Sequence, residues 1–568
     1  MLSRRSLLQQ LAFGAIGAIP GSVSAGATSR TTATLGLQER PPAPADGEVF
    51  NVVVVGGGVS GVYVAWRLQT ANPSWKVAVC EMSERIGGRL YSIAPPGMPH
   101  LRAELGGMRF RNSQLLVAKL IEHLGLIVDP FPSGDTRNLL YLRGKRFTQG
   151  DWKHAERVPY ALTNDGPVVE VGKSPDELQR ALIELYAPDA AEFSSSDWDT
   201  FKKEATVEMD GQTVPLHQLG FWNLMQRVLS GEAYQLIHDA GGYTNVRGNW
   251  NAAEALPWLW ADVVGEALHR LRDGYQELPL ELARRFQDAG GAILQPYRLR
   301  TVERAAGPTV QLEFERGPDR QPWTCAAENT VLAMPRRALQ LLDQGSFLFE
   351  SQQFRDDMDV LIPQLAAKAF LGYDEPWWTE QFGLQSGHSV TDLPMRQCFY
   401  FGTEGDQAGA DPGNRNALLM ADYYAGDAHE FWPGYPSSPL FPVPAAQRQI
   451  PLDVRTPQLM VDELQRQLIA LHGPAARVPA PHLAMFMDWG ADPYGAGWHF
   501  WPTGAKSWEI IPRVRQPVPG ANVYVCGEAW STTQGWVEGA LQTAEQVLQQ
   551  KFGLTHPRWL PTDANLGP

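Results

Sequence analysis

Cysteine is scarce in this chain: Cys80, Cys325, Cys398 and Cys526 are the only four in 568 residues. None forms a C-x-x-C pair or joins a Cys/His cluster, which argues against zinc and dithiol redox motifs, and no metal site is expected. Cys80 and Cys526 lie in apolar, strand-like runs and read as buried free thiols. Positive charge is in deficit as well. A formal net charge of −14 leaves no basic footprint for nucleic acid or an anionic membrane. Beyond the first 27 residues no run of about twenty apolar residues follows, so no stable membrane anchor is expected. No internal repeat is present. With 44% hydrophobic and 19% charged residues the composition is that of an ordinary globular protein, long enough for two or three packed layers.

The N-terminus reads as a targeting segment. "MLSRRSLLQQLAFGAIGAIPGSVSAGA" combines a short basic region, a short apolar stretch and small residues suited to cleavage near Ala25 or Ala27. Arg4-Arg5 resembles a twin-arginine export signal, the alternative being a chance arginine pair in an ordinary secretory signal. Residues 1–27 are therefore expected to be removed on export to the periplasm or beyond, and 28–47 to form a polar, Pro-rich leader.

The remainder predicts an α/β fold: a discontinuous Rossmann-like dinucleotide-binding domain with a mixed-sheet substrate domain and a helical insertion. The nucleotide domain is assigned to 48–90, 265–340 and 515–552, the substrate domain to 91–150 and 341–514, and the helical domain to 151–264. Helical periodicity extends from about Asp176 to Leu282, and "PGYPSSPLFPVPAAQRQIP" reads as a surface insertion. "NVYVCGEAW" reads as a buried strand leading into an amphipathic helix, "GWVEGALQTAEQVLQQ".

Chemistry begins at "VVVVGGGVSGVYVAW". Gly56, Gly58 and Gly61 form G-x-G-x-x-G between a strand and a helix. The first permits the tight turn, the second a close approach of backbone to phosphate, and the third close helix–strand packing. Glu81 ends the next strand, "KVAVCE", at the spacing that lets a carboxylate accept from ribose hydroxyls. Val59 and Ser60 open the helix beside the phosphates, and Met82 follows Glu81 at the same site.

Three further segments, "ERIGGRLYS", "AELGGMRF" and "VYVCGEAWSTTQGWVEGAL", follow in an order that resembles the FAD-dependent amine oxidase family, most closely its L-amino-acid oxidases. The resemblance implies FAD as cofactor. Gly88 and Arg89 would approach its pyrophosphate, Gly106, Gly107, Met108 and Arg109 would flank it, and Leu299 would lie on the adenine side. Glu528 would meet the ribityl chain, and the helix beginning at Trp536 and Val537 would aim its amides at the pyrimidine edge of the flavin. Trp489 would pack on the isoalloxazine ring. Relatives that bind FAD covalently use a cysteine before the C-terminal strand; "DPYGAGWHFW" has none, so non-covalent binding is expected.

The same resemblance implies the substrate site. Arg109 would clamp the α-carboxylate, a task suited to a planar guanidinium with two parallel donors. Tyr400 would donate to that carboxylate. Lys368, in "AAKAFLGYDEPWW", would hold a water at flavin N5. Trp498 and Trp536, with Gly535, would form the two-aromatic cage around the amine. His388 and His499 are unassigned. The implied function is oxidative deamination of an L-amino acid with a large apolar, aromatic or basic side chain, giving 2-oxo acid, ammonia and hydrogen peroxide. An amine or polyamine oxidase, an amino-acid 2-monooxygenase and a non-catalytic flavin-binding scaffold remain as alternatives. The partners expected are a small-molecule L-amino acid and O2, with a homodimer open.

Overall fold

In a computed structural model of the chain, residues 44–568 are described apart from 132–133, 243–248, 306, 308 and 443–449. The expected export signal and the leader up to residue 43 lie outside the described residues. The end of the leader is anchored: Asp46 accepts from the backbone and hydroxyl of Thr324, at 2.7 and 2.8 Å, and the Trp323 indole donates to Pro44 and Ala45 carbonyls.

Strand Glu48–Val55 is apolar without alternation from Val52 because both faces of its sheet are covered. It lies parallel to Val77–Cys80 on one side and to Gln321–Leu332 on the other. Ala292–Leu294 extends the parallel set beyond Val77–Cys80, and Val523–Val525 pairs parallel to the last residues of Gln321–Leu332. The first half of that long strand turns instead to an antiparallel meander with Val310–Arg316 and Tyr297–Arg304. Helices Val59–Ala71, Glu277–Asp288 and Val537–Phe552 pack one core on this sheet, and Trp323, Phe314 and Ile510 contribute to a second core. The C-terminal ends of five parallel strands therefore converge, the place where open α/β sheets bind ligands.

A second, mixed seven-stranded sheet runs in the order Leu483–Asp488, Ala366–Tyr373, Ala417–Ala425, Gln397–Thr403, His388–Thr391, Leu139–Leu142, Lys145–Thr148. Helix Gln458–His472 supplies the core on one face, while Met98, Leu105, Met108 and Trp489 pack on the other. Among the described residues, five α-helices between Pro175 and Val263 form a separate core with Trp250 and Phe500.

Two expectations need correction. The helical stretch from Asp176 to Leu282 is interrupted by a hairpin, Thr206–Met209 with Gln212–Pro215, and by strand Leu268–Leu271. The hairpin turns on Asp210-Gly211, both at positive φ, an Asp-Gly signal that outweighs helical periodicity. The amphipathic C-terminal helix does not turn its polar face to water: every residue from Glu538 to Leu548 is buried. Its polar face is covered by the rest of the chain. Glu545 accepts from Arg67 and Tyr63, Glu538 from the Leu116 and Val117 amides, and Gln546 donates to carbonyls of the tail at Leu566 and Pro568. The Pro-rich insertion lies at the surface as expected, exposed at Pro433, Gly434 and 436–440, while Tyr435, Phe441 and Ile450 pack into the cores; residues 443–449 lie outside the described residues.

Candidate functional site

The turn after Glu48–Val55 sits at the converging strand ends. Gly56 has φ +112°, and a Cβ there would lie 2.4 Å from the Ala333 carbonyl oxygen, so only glycine fits. At Gly61 a Cβ would lie 2.0 Å from the Gly56 oxygen, which makes its role helix–turn packing. Helix Val59–Ala71 starts immediately after Gly58, leaving its first amides toward the open space beyond the turn. The Glu81 carboxylate ties this turn to the next one, accepting from Gly57 N at 2.7 Å and Ser83 N at 2.8 Å.

A cavity of 240 Å³ begins here. At one end it is lined by Gly56, Gly58, Val59, Ser60, Glu81, Met82 and Leu299. It passes Gly88, Arg89, Gly106, Gly107 and Glu528, and ends among Lys368, Tyr423, Trp489, Trp498, Gly535, Trp536 and Val537. Residues from both sheets and from segments hundreds of positions apart thus share one chamber.

Glu528 is the electrostatic hub of its middle. One carboxylate oxygen accepts from His499 N at 3.0 Å and Gly535 N at 2.8 Å; the other accepts from Arg89 Nη1 at 2.9 Å and meets His499 Nδ1 at 3.1 Å. Burial works against its charge, but Arg89, His499 and the Gly535 amide prevail and hold the carboxyl down at about 2. Its acceptor capacity is filled by the chain itself, so Glu528 acts by holding Arg89 and the Gly535 turn in place. His499, unassigned from sequence, belongs to this network.

Lys368 stands on strand Ala366–Tyr373 with all eight positions buried. Its Nζ donates to the Glu104 carbonyl at 3.1 Å and the Gly106 carbonyl at 2.5 Å, and lies 4.5 Å from the centre of the Tyr423 ring. Burial, with Arg109 nearby, pushes the ammonium below its usual range, while the Glu104 carboxylate pulls the other way. Trp489 is fixed by its indole N–H on the Leu105 carbonyl, 2.7 Å away. Trp498 lies 3.5 Å from where a Cβ on Gly535 would stand, and Arg111 covers the Trp536 ring at 4.3 Å while paired with Asp262.

Four expected site residues do not line this cavity: Gly61, Met108, Arg109 and Tyr400. Met108 packs in the core under the second sheet. The Arg109 guanidinium lies 5.4 Å over the Phe131 ring, close enough for its charge to act on Lys368. Tyr400 faces the opposite side of the second sheet, where its hydroxyl meets Ser389 Oγ at 2.7 Å and His472 Nε2 at 2.9 Å. The cause is strand parity: neighbours in a strand point to opposite faces. Phe399 takes the other face of that strand and packs near Tyr423, a tyrosine that lines the chamber. A tyrosine pair in "MADYYAG" was the only sequence signal for Tyr423, and a β-bulge between Ala369 and Phe370 sets which of the pair points inward.

All four cysteines are buried and free, and among the described residues no His/Cys/Asp/Glu group is placed to hold a metal. No described helix is long and apolar enough to cross a membrane.

Known proteins agree with this architecture. A family profile described as flavin containing amine oxidoreductase matches residues 59–548. Aplysianin-A of Aplysia kurodai is 26% identical over 89% of this chain and 90% of its own length. An L-amino-acid oxidase of Mus musculus is 24% identical over 87% of this chain and 69% of its own. A redesigned putrescine oxidase superimposes with a TM-score of 0.61 at 16% identity, covering 89% of this chain and 99% of its own. With the family profile spanning most of the chain and the glycine turn opening on a buried lysine and aromatic cluster, the protein belongs to the flavin-containing amine oxidoreductases.

Proposed function

We propose that this protein is an FAD-dependent L-amino-acid oxidase acting on substrates with large apolar, aromatic or basic side chains. The observation that carries the reading is that Lys368, Tyr423 and Trp498 line one chamber with the glycine turn, while Arg109 stands outside that lining but near enough for its charge to act on Lys368. The chamber suits FAD: backbone amides at Gly58–Ser60 for the pyrophosphate, Arg89 for its charge, and Leu299 beside the adenine. FAD when bound supplies the two-electron acceptor, and O2 then takes those electrons to give hydrogen peroxide.

The chain's residues do the rest. Arg109 holds the α-carboxylate by its fork, and Tyr423 replaces Tyr400 as the hydroxyl candidate at that end. Trp498 and Trp536 sandwich the amine and fix the Cα–H direction. Lys368 gives two hydrogens to carbonyls, which leaves one position on Nζ for a water. The imino acid released adds water and loses ammonia, leaving the 2-oxo acid. Peroxide and ammonia measured over twenty L-amino acids and their decarboxylated amines test this reading. Amino acids are expected to dominate; turnover of amines alone would replace it with amine oxidation.

Binding of FAD is proposed to be non-covalent. Cys80 is the one cysteine lining the chamber, and burial raises its thiol well above the usual range, away from the reactive thiolate. Acid precipitation should leave a yellow supernatant and a colourless pellet; a yellow pellet would refute it. Export is proposed to use Arg4-Arg5. Changing both to lysine should retain flavin-loaded protein in the cytoplasm, whereas unchanged secretion would point to a general secretory signal.

A further inference from the structure

Behind the segment that carries Glu104 and Met108 lies a second cavity, of 350 Å³, bordered by residues that the reading above leaves without a role. Its wall is divided by character. Leu101, Met108, Phe131, Leu271 and Phe401 form an apolar side, and Arg102, Arg270 and Arg272 face it with Asp129 and Asp273.

The charged groups there are unevenly partnered. Arg272 is matched by Asp129 through two bonds, at 2.7 and 3.1 Å. Arg102 spends its guanidinium on the Pro99, Leu101 and Asp273 carbonyls and approaches the Asp273 carboxylate at 3.5 Å. His100 is paired with Glu404 at 2.5 Å. The Glu104 carboxyl is occupied by Ser92 Oγ and Tyr275 N, at 2.6 and 2.9 Å, and its charge faces Lys368 on the other side of the segment. Arg270 is the least well partnered: its charge helps to hold down the Asp129 carboxyl, but no hydrogen bond joins the two. It stands across the strand pair from Asp129, which Arg272 already holds, and its Nε is buried without a hydrogen-bond partner. A buried guanidinium donor left unmade costs free energy that an anion would recover.

We infer that this cavity binds a small monocarboxylate with an apolar body, the carboxylate on Arg270 and the body against Phe131, Met108 and Phe401. A carboxylate supplies the acceptor that the buried Arg270 Nε lacks, and the apolar wall rejects inorganic anions that need water on every side. Phe131 is shared: the Arg109 guanidinium lies 5.4 Å over its ring. Occupation of the second cavity therefore bears on the clamp, and, resting on the proposed function, the 2-oxo acid product belongs to the ligand class that fits.

Calorimetric titration of the flavin-loaded protein with phenylacetate tests the site, with phenethyl alcohol as the uncharged control. The parent is expected to bind phenylacetate at Arg270 in addition to any binding at Arg109. Arg270→Gln should weaken the Arg270 class roughly tenfold or more, Arg270→Lys should restore part of it, and Arg109→Gln should leave it intact. Ala408→Trp, at the exposed rim, should block the same class without altering charge, so a folding defect at Arg270 does not decide the matter. Unchanged phenylacetate binding in both Arg270→Gln and Ala408→Trp, or equal binding of phenethyl alcohol, overturns the inference. An Arg109→Gln protein that still oxidises amino acids overturns the proposed function instead and leaves this site standing.

Discussion

Arg109→Ala is expected to lower kcat/KM for L-amino acids by a factor of hundreds to thousands. The guanidinium carries the substrate carboxylate in the proposed complex, and removing one partner of a desolvated ion pair costs about 3–5 kcal/mol. Arg109→Lys should recover little, since an ammonium cannot present two parallel donors. The amine matching each substrate has no carboxylate to lose, so its slow oxidation should change hardly at all. That contrast separates a substrate clamp from a structural arginine. Arg109 lies over Phe131 next to Lys368, so a structural loss would depress both substrates and release flavin. Steady-state kinetics with paired substrates, together with flavin absorbance per chain, reads the difference. Parental rates on amino acids in a flavin-loaded Arg109→Ala protein would remove the clamp.

Glu528→Gln should be the most damaging single change to the chamber itself. The carboxylate faces Arg89, His499 and two backbone amides with side-chain exposure of only 6%. An amide keeps one acceptor and turns an NH2 toward these donors, leaving Arg89 without its counter-charge. A loss of about 3–5 kcal/mol in unfolding free energy is expected, with faster flavin release. The pH dependence has a definite sign. The folded-state carboxyl is held at about 2, below its unfolded value, so its contribution is complete above the ordinary carboxyl range. It is lost as pH falls from there through about 2. Thermal midpoints of the parent should therefore drop over that acid window by more than those of Glu528→Gln. Equal midpoints at neutral pH, or parallel acid profiles, would show that the network adds nothing.

What could be read from the chain alone was local in origin. A glycine turn needs particular φ values and close backbone contacts within a few residues, so Gly56, Gly58 and Gly61 announced the strand–turn–helix unit without help from the rest of the molecule. The order of the later motifs was legible too, and with it the α/β fold and the residues at both ends of the chamber. Tertiary structure decided whatever depended on facing. Tyr400 and Tyr423 are chemically alike, and a one-residue parity in neighbouring strands, altered by a bulge, sends the first into a core and the second into the chamber. The C-terminal helix carries a polar face that periodicity assigns to water, yet Arg67, the Leu116 amide and the C-terminal tail close over it. Glu528 and His499 stand 29 residues apart, and their pairing with Arg89 exists only once two sheets are brought together. Backbone conformation is written in adjacent residues; the direction of a side chain and the partner it meets are set by packing across the whole chain.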